Sequence, residues 1–286
     1  MVRKKVTITA DGLIRKGLTS TEANVLSDFV SNGKTVFKTE ELAEKLGSPI
    51  KARQMAFRLV KKRWLDRLSR GFYMILELGV GSEPKATTAS SYYIASKLTS
   101  PYYIGYYNVL NNYGWTEQIP LTIYIATTNK STKESYIIGG VHYKIIKLSE
   151  KKFFGTITKV IDGHAIVISD PEKTIIDALD HPRHCGGISE VSRALYNAHA
   201  HKQLDWKKVL EYAEKLGNGA VFKRLGYLVE ILELELPDDF KKSIEQKITT
   251  GYSRLDPEIK TSGKLNSRWN LIINAEILKE QAEPQS

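Results

Sequence analysis

Gly47-Ser48-Pro49-Ile50-Lys51-Ala52-Arg53-Gln54-Met55-Ala56-Phe57-Arg58-Leu59-Val60-Lys61-Lys62-Arg63 decides the fold of the first part of this chain. Gly47-Ser48-Pro49 reads as a tight turn, and the residues from Ile50 to Arg63 read as a helix. Placed at helical intervals, Lys51, Gln54, Arg58, Lys61 and Lys62 fall within an arc of about 100°. Ala52, Ala56, Leu59 and Val60 gather on the opposite side, with Arg53 and Arg63 toward that apolar side. Exposed helices normally mix both signs of charge, because opposite charges four residues apart stabilise them. A face of cations and one amide, without a carboxylate, is therefore suited to a polyanion.

The flanking sequence gives this helix a context. Upstream, Thr19 and Glu22 form a capping-box pattern ahead of Ala23, Val25, Leu26, Phe29 and Val30, and Gly33 ends that helix. Thr35-Val36-Phe37 is a short strand-like link, and Thr39 is expected to cap a second helix with Leu42, Ala43 and Leu46 inward. Downstream, Trp64 to Leu68 and Phe72 to Leu76 read as strands joined by Ser69-Arg70-Gly71. Helix, short strand, helix, turn, helix and hairpin follow the order of a winged helix-turn-helix. In that fold the third helix enters the major groove by its N-terminal half, which assigns Ser48, Lys51, Gln54 and Arg58 to the base edges. Gln54 suits adenine and Arg58 suits guanine. Lys61 and Lys62 either complement the helix dipole or meet phosphates, and Arg67 and Arg70 lie on the wing, near backbone or minor groove.

Charge is distributed accordingly. Residues 1–80 contain 16 Lys/Arg and 8 Asp/Glu, a balance of +8, whereas the rest of the 286-residue chain contains 26 and 24, a balance of +2. Such a local excess attracts nucleic acid. The length suggests two units. No apolar run approaches the roughly 18 residues needed to cross a bilayer, so no membrane partner is expected. A single cysteine, Cys185, rules out an internal disulfide and suits the cytoplasm.

Gly79-Val80-Gly81-Ser82-Glu83-Pro84 is a candidate break between domains at 1–80 and 84–280, and the polar residues 281–286 read as a disordered tail. Beyond the break, 86–98 reads as a helix, 121–126 and 141–148 as strands, and 157–161 with 164–168 as a hairpin closed at Asp162-Gly163. From Pro171 the pattern is helical, near 171–180, 188–201, 205–216, 219–234 and 238–249, before a last strand at 268–273. The expected class is α+β, a winged helix followed by a larger mixed α/β domain with a helical C-terminal part. Tyrosines 92, 93, 102, 103, 106, 107 and 113 have aliphatic neighbours without interleaved cations, which favours core packing over base stacking.

Several stretches of this larger segment are similar to the AbiEi family of abortive-infection antitoxins, predicted transcriptional regulators of phage defence. They are Tyr103-Ile104-Gly105-Tyr106-Tyr107-Asn108-Val109-Leu110-Asn111-Asn112-Tyr113-Gly114-Trp115-Thr116-Glu117-Gln118-Ile119-Pro120, Phe153-Phe154-Gly155, and Ser169-Asp170-Pro171-Glu172-Lys173-Thr174-Ile175-Ile176-Asp177 followed by Gly187-Ile188-Ser189-Glu190. Leu255-Asp256-Pro257 and the run from Arg268-Trp269 to Asn274 complete the likeness, and Arg70-Gly71-Phe72-Tyr73 resembles the family's wing. The resemblance implies a bipartite protein of a type IV toxin-antitoxin system. Its winged helix would repress its own promoter by binding inverted repeats, which accommodate two copies on DNA and are compatible with a monomer in solution, the oligomeric state being left open by the sequence. Its C-terminal domain would counter a nucleotidyltransferase-like AbiEii toxin without forming a stable complex.

Physically these motifs read as structural, with Asp170 capping a helix that Pro171 opens. The expectation is a protein without catalytic residues, metal or cofactor. The enzymatic alternative is a metal-dependent nuclease using Asp162 or Asp170 with Glu172 and Lys173, but adjacent Glu172 and Lys173 at a helix start do not face one side. His181, His184 and Cys185 lack a fourth ligand at a recognised spacing, and Gly217-Asn218-Gly219 reads as an interhelical turn. The paired cations Lys207-Lys208, Lys223-Arg224 and Lys241-Lys242 alternate with acids and read as solvated faces. In the alternative, Lys207, Lys208, Lys223 and Arg224 form an antitoxin surface.

Overall fold

A computed structural model describes residues 16–76, 88–138, 140–161 and 163–277. The chain divides into two units, the first running to Lys97 and taking in Ile137–Gly140, the second comprising the remainder. The expected break at 79–84, the tail at 281–286 and Asp162 lie outside the described residues. Both units mix helices with sheet, so the class is α+β. Among the described residues, no helix is long and apolar enough to cross a membrane.

In the first unit, α1 (Ser20–Ser31) starts at Thr19 with both halves of the capping box formed. The Glu22 amide donates to Thr19 Oγ1 at 3.3 Å, and the Thr19 amide donates to Glu22 Oε2 at 2.9 Å. After β1 (Val36–Lys38), α2 (Thr39–Leu46) begins one residue earlier than its sequence suggests. Lys38 takes the cap position, its amide donating to Glu41 Oε1 at 3.0 Å. The Thr39 hydroxyl is drawn instead to the Gly71 carbonyl, 3.2 Å away across the sheet. Gly47, at φ 63, ends α2 in the left-handed region, and Ser48 caps α3 (Pro49–Lys61) by accepting from the Lys51 amide. Strands β2 (Leu65–Ser69) and β3 (Phe72–Ile75) form a hairpin, and β1 pairs antiparallel with β3, giving the order β1-β3-β2. Phe37, Leu42, Ala52, Ala56 and Leu59 are fully buried between helices and sheet, and the Phe29 ring stacks on Phe37 at 4.5 Å. Helix α4 (Thr88–Leu98) belongs to this unit up to Lys97, so the boundary falls later than the glycine-rich break.

A six-stranded mixed sheet underlies the second unit, with Ile137 and Ile138 at the end of its edge strand grouped with the first. Its strands are β4 (Tyr103–Ile104), β5 (Thr122–Thr127), β6 (Ser135–Ile138), β7 (Val141–Lys147), β8 (Thr156–Ile161) and β9 (His164–Ser169), in the order β6-β7-β5-β4-β9-β8. β5 runs parallel to β7 and β4 parallel to β9, while β4/β5 and β8/β9 are antiparallel. Between β4 and β5 lies α5 (Tyr107–Asn112), and after β9 come α6 (Pro171–Asp180), α7 (Ile188–Ala200), α8 (Trp206–Leu216), α9 (Gly219–Ile231) and α10 (Asp238–Glu245). The last expected strand is shorter than its sequence pattern. β12 spans Leu271–Ile273, because Asn270 turns the chain at φ 48, and it joins β10 (Ser253–Arg254) and β11 (Lys264–Asn266) in a third sheet. β4, β6, β10 and β11 are too short for alternation to mark them.

Helix α6 organises this unit, touching α5, α7, α8 and α9, with every residue after Pro171 buried. Asp170 caps it, accepting from the Lys173 amide at 2.8 Å. Lys173 is wholly buried, and its ammonium bonds Asp177 one turn on and lies 4.6 Å from the centre of the Phe154 ring. Asp177 also accepts from the Tyr103 hydroxyl at 2.8 Å, and burial pushes its carboxyl above the usual range against the pull of Lys173. Gly155 makes this packing possible. At φ 66 it lies so close to α6 that a Cβ would fall 2.8 Å from Lys173 Cβ and from the Tyr212 ring.

The start of α7 depends on a distant residue in the same manner. Its cap position is Gly187, which has no side chain, and Asp256 accepts from the Ile188 amide at 3.0 Å. The motifs singled out in the sequence thus have structural work: they close helix ends and fill the core around α6. Asp177→Ala should destabilise the protein by about 3–5 kcal/mol, since it leaves a buried ammonium unpaired. The double replacement Lys173→Met with Asp177→Leu should lose less, and urea unfolding of the two variants checks the order.

Candidate nucleic-acid interface

On α3, Ala52, Met55, Ala56 and Leu59 are buried, and Ile50, Lys51, Arg53, Gln54, Phe57, Arg58 and Lys61 are exposed. No carboxylate occurs in this helix. The exposed arc is rotated by about 50° from the one drawn through the cations alone. Met55 is part of the core, so the edge of the helix that it shares with Lys62 faces inward. Arg53, expected toward the apolar side, is therefore exposed. Ile50 and Phe57 occupy the middle of the face and are 66% and 62% exposed. Sorting the helix by charge misses them, because nothing in the sequence says which apolar residues the core leaves out.

Lys62 and Arg58 are held from below by Glu22. This carboxylate is 1% exposed, with Lys62 Nζ 2.6 Å from Oε2 and Arg58 Nε 3.4 Å from Oε1. Lys62 is thereby corrected from a candidate DNA contact to a structural tie, its side chain being only 21% exposed and turned toward α1. Arg58 keeps half of its side chain in solvent, and its contact to Glu22 uses Nε, on the inner edge of the guanidinium. Burial works against the Glu22 charge. Hydrogen bonds from Lys62 and from the Thr19 amide and hydroxyl, together with the Lys62 charge, outweigh it and lower the carboxyl to about 2.

The remaining expected contacts divide by role. Lys51, Gln54 and Lys61 are exposed, whereas Ser48 is half-buried with its hydroxyl serving the helix cap. The Lys61 ammonium lies 5.1 Å from the centre of the Phe57 ring. Arg67 on β2 and Arg70 in the hairpin turn are exposed, the turn being closed by Gly71 at φ 74.

The candidate surface of the second unit is largely internal. Lys223 is 2% exposed and donates to the Gly251 carbonyl at 2.6 Å. Arg224 is 4% exposed, and its guanidinium donates to the carbonyls of Leu179, Arg254 and Leu255. Neither is available to a partner, because α9 is buried on both sides of the pair. Lys208 reaches back to Asp170 at 3.0 Å and Glu172 at 2.7 Å, which leaves Lys207 as the exposed member of the four.

The same contacts account for the residues weighed as a nuclease. Glu172 accepts from the Asp205 amide and Lys208, and Lys173 is committed to Asp177, so the two do not share a site. Cys185 is buried and its thiol is pushed up, by burial first and by Asp177 second. Burial, with Arg183, His181 and Lys144, lowers His184 to about 4. Among the described residues, no three His, Cys, Asp or Glu side chains converge as metal ligands. Gly217, at φ 72, ends α8 and Asn218 caps α9, an interhelical turn as its sequence reads.

The chain matches no family profile and no curated protein sequence. In fold it is similar to a crystal structure of the RV2827C protein from Mycobacterium tuberculosis. The TM-score is 0.63 over 93% of this chain and 95% of that one, at 13% sequence identity. The shared property is the architecture across both units.

Glu22 gives the interface a pH signature. Its folded value of about 2 lies below the ordinary 4.5, so its contribution is full above pH 4.5 and is lost as the pH falls from there toward 2. With Arg58 half in solvent and screened, the contribution is about 2 kcal/mol. Glu22→Gln should lower stability at neutral pH by that amount and flatten the acid limb of the curve, as read from urea midpoints between pH 2 and 7.

Proposed function

We propose that the first unit is a winged helix that binds double-stranded DNA through α3, and that the chain is a promoter-binding autorepressor and antitoxin of the AbiEi kind. The observation that carries the DNA reading is the exposed face of α3, which presents Lys51, Arg53, Gln54, Arg58 and Lys61 without a carboxylate. Elements on either side suit the same docking. Ser48 caps the N-terminus of α3 and Pro49 opens it, and the β2–β3 hairpin that follows carries the exposed Arg67 and Arg70. In this reading Lys51, Gln54 and Arg58 meet base edges and Lys61 meets phosphate, with the two hairpin arginines along the backbone or in the minor groove.

Glu22 adds pre-organisation. It holds Arg58 by one edge of its guanidinium, so less side-chain freedom is lost when the other edge meets a guanine. The antitoxin half rests on the AbiEi resemblance, whose residues include Tyr103, Tyr106, Trp115 and Ile175 of the second unit's core. Two copies on inverted repeats, and a toxin countered without a stable complex, follow from the same resemblance.

Mobility shifts of the full chain on the promoter of its own operon, against random duplex at several salt concentrations, test the DNA reading. Specific binding should weaken steeply with salt. Arg58→Ala should cost about 1–3 kcal/mol on the operator and relax its specificity, whereas Arg70→Ala should weaken operator and random duplex alike. Equal binding to both duplexes by the unaltered protein would sink the proposal. For the antitoxin half, the full chain carrying Lys51→Ala, Gln54→Ala and Arg58→Ala is co-expressed with the nucleotidyltransferase-like toxin. Growth should be rescued as well as by the unaltered chain, and loss of rescue would tie protection to DNA binding.

A further inference from the structure

The middle of the α3 face is apolar. Ile50 and Phe57 are 66% and 62% exposed. They are seven residues, or about 10.5 Å, apart along one side of the helix. Around them lie Lys51, Arg53, Gln54, Arg58 and Lys61, all exposed, with the Lys61 ammonium beside the Phe57 ring. Phe57 contributes nothing to the core of the unit, which Met55, Ala56 and Leu59 fill from the other side of the helix. Large apolar side chains held in water on a cationic ridge are unfavourable for the isolated protein. A partner that matches the ridge must be anionic and must offer apolar groups along a line. The major groove of B-DNA does both: phosphates flank it, and each thymine projects its C5 methyl among the hydrogen-bonding edges.

We propose that Phe57 and Ile50 read thymine methyl groups, and that the recognised sites carry thymine at two positions about three base pairs apart, the spacing that seven residues of helix spans. The inference rests on the reading of α3 as a DNA-binding helix and adds to it the source of part of the specificity. Gln54 lies between the two along the helix axis and about 40–60° to one side of them on the arc, placed for a neighbouring base. The hydrogen-bonding residues alone would accept many sequences that lack these methyls.

Duplexes are selected from a random-sequence library with the full-length protein, and each thymine of the selected site is replaced in turn by deoxyuridine, which pairs identically but lacks the methyl. At two positions about three base pairs apart affinity should fall about fourfold, the equivalent of one methyl removed from contact, and a loss at fewer than two overturns the inference. One loss should vanish in Phe57→Ala and the other in Ile50→Ala, so that variant and deoxyuridine effects do not add. Both side chains are exposed, and urea midpoints equal to that of the unaltered chain verify that the fold is kept. If selected duplexes bind tightly but tolerate deoxyuridine throughout, or if the losses persist in both variants, this inference is overturned while the DNA reading stands. If no duplex is enriched, as expected were the face a protein interface, the DNA reading fails and the inference with it.

Discussion

Glu22 is the constraint on which the candidate interface depends. One carboxylate completes the cap of α1 and holds Arg58 of α3, two helices later, and Lys62 at the C-cap of that helix. Its burial would be costly if any of these partners were missing, since an unpaired buried charge destabilises by several kcal/mol. The same ion therefore sets the start of α1, the end of α3 and the rotation of α3 about its axis. That rotation decides which side chains face outward. A helix turned by half a residue interval would bury Phe57 or Arg53 and expose Met55.

A second buried charge does comparable work in the other unit. Lys173 and Asp177 form an ion pair on one face of α6, closed by the Tyr103 hydroxyl and roofed by Phe154. Around it single side chains tie separate segments: Asp170 and Asp256 at helix starts, Arg224 at the last turn of α6 and at the carbonyls of Arg254 and Leu255, and Lys223 at the Gly251 carbonyl. Carbonyls and amides at helix ends and tight loops need such partners when water is excluded. Several further charges of this unit answer one another within the fold. Lys208 on Asp170 and Glu172, and Lys152 on Asp180, belong to the same pattern.

What the sequence reveals depends on how local the cause is. The Thr19–Glu22 box, the Asp170-Pro171 helix start and the β8–β9 hairpin are all decided within a few residues, and their positions can be read directly. The burial of Lys223 and Arg224 depends on carbonyls about 30 residues away, at Gly251, Arg254 and Leu255. One local signal for it exists: α9 reads Gly-Ala-Val-Phe-Lys-Arg-Leu-Gly, with apolar residues on both sides of the pair, and so is apolar all round. The inward turn of Lys62 has no such signal, because its partner belongs to a helix 40 residues upstream. β4 is the extreme case, two residues at the centre of the sheet, placed only by pairing with β5 and β9.

Counting cations overstates the surface charge for the same reason. Lys62, Lys208, Lys223 and Arg224 are tethered by hydrogen bonds or ion pairs within the fold, whereas Lys51, Arg53 and Lys61 on α3 and Arg70 in the hairpin turn are exposed. On α3 the surviving cations surround Phe57 instead of forming an unbroken stripe. Cations alone give affinity that falls with salt and barely distinguishes one duplex from another. Discrimination requires groups that respond to the edges of the bases, and in the proposed reading those are Lys51, Gln54, Arg58 and two apolar side chains. Phosphate attraction would bring the helix to the groove, and the uncharged centre of its face would decide where it stays.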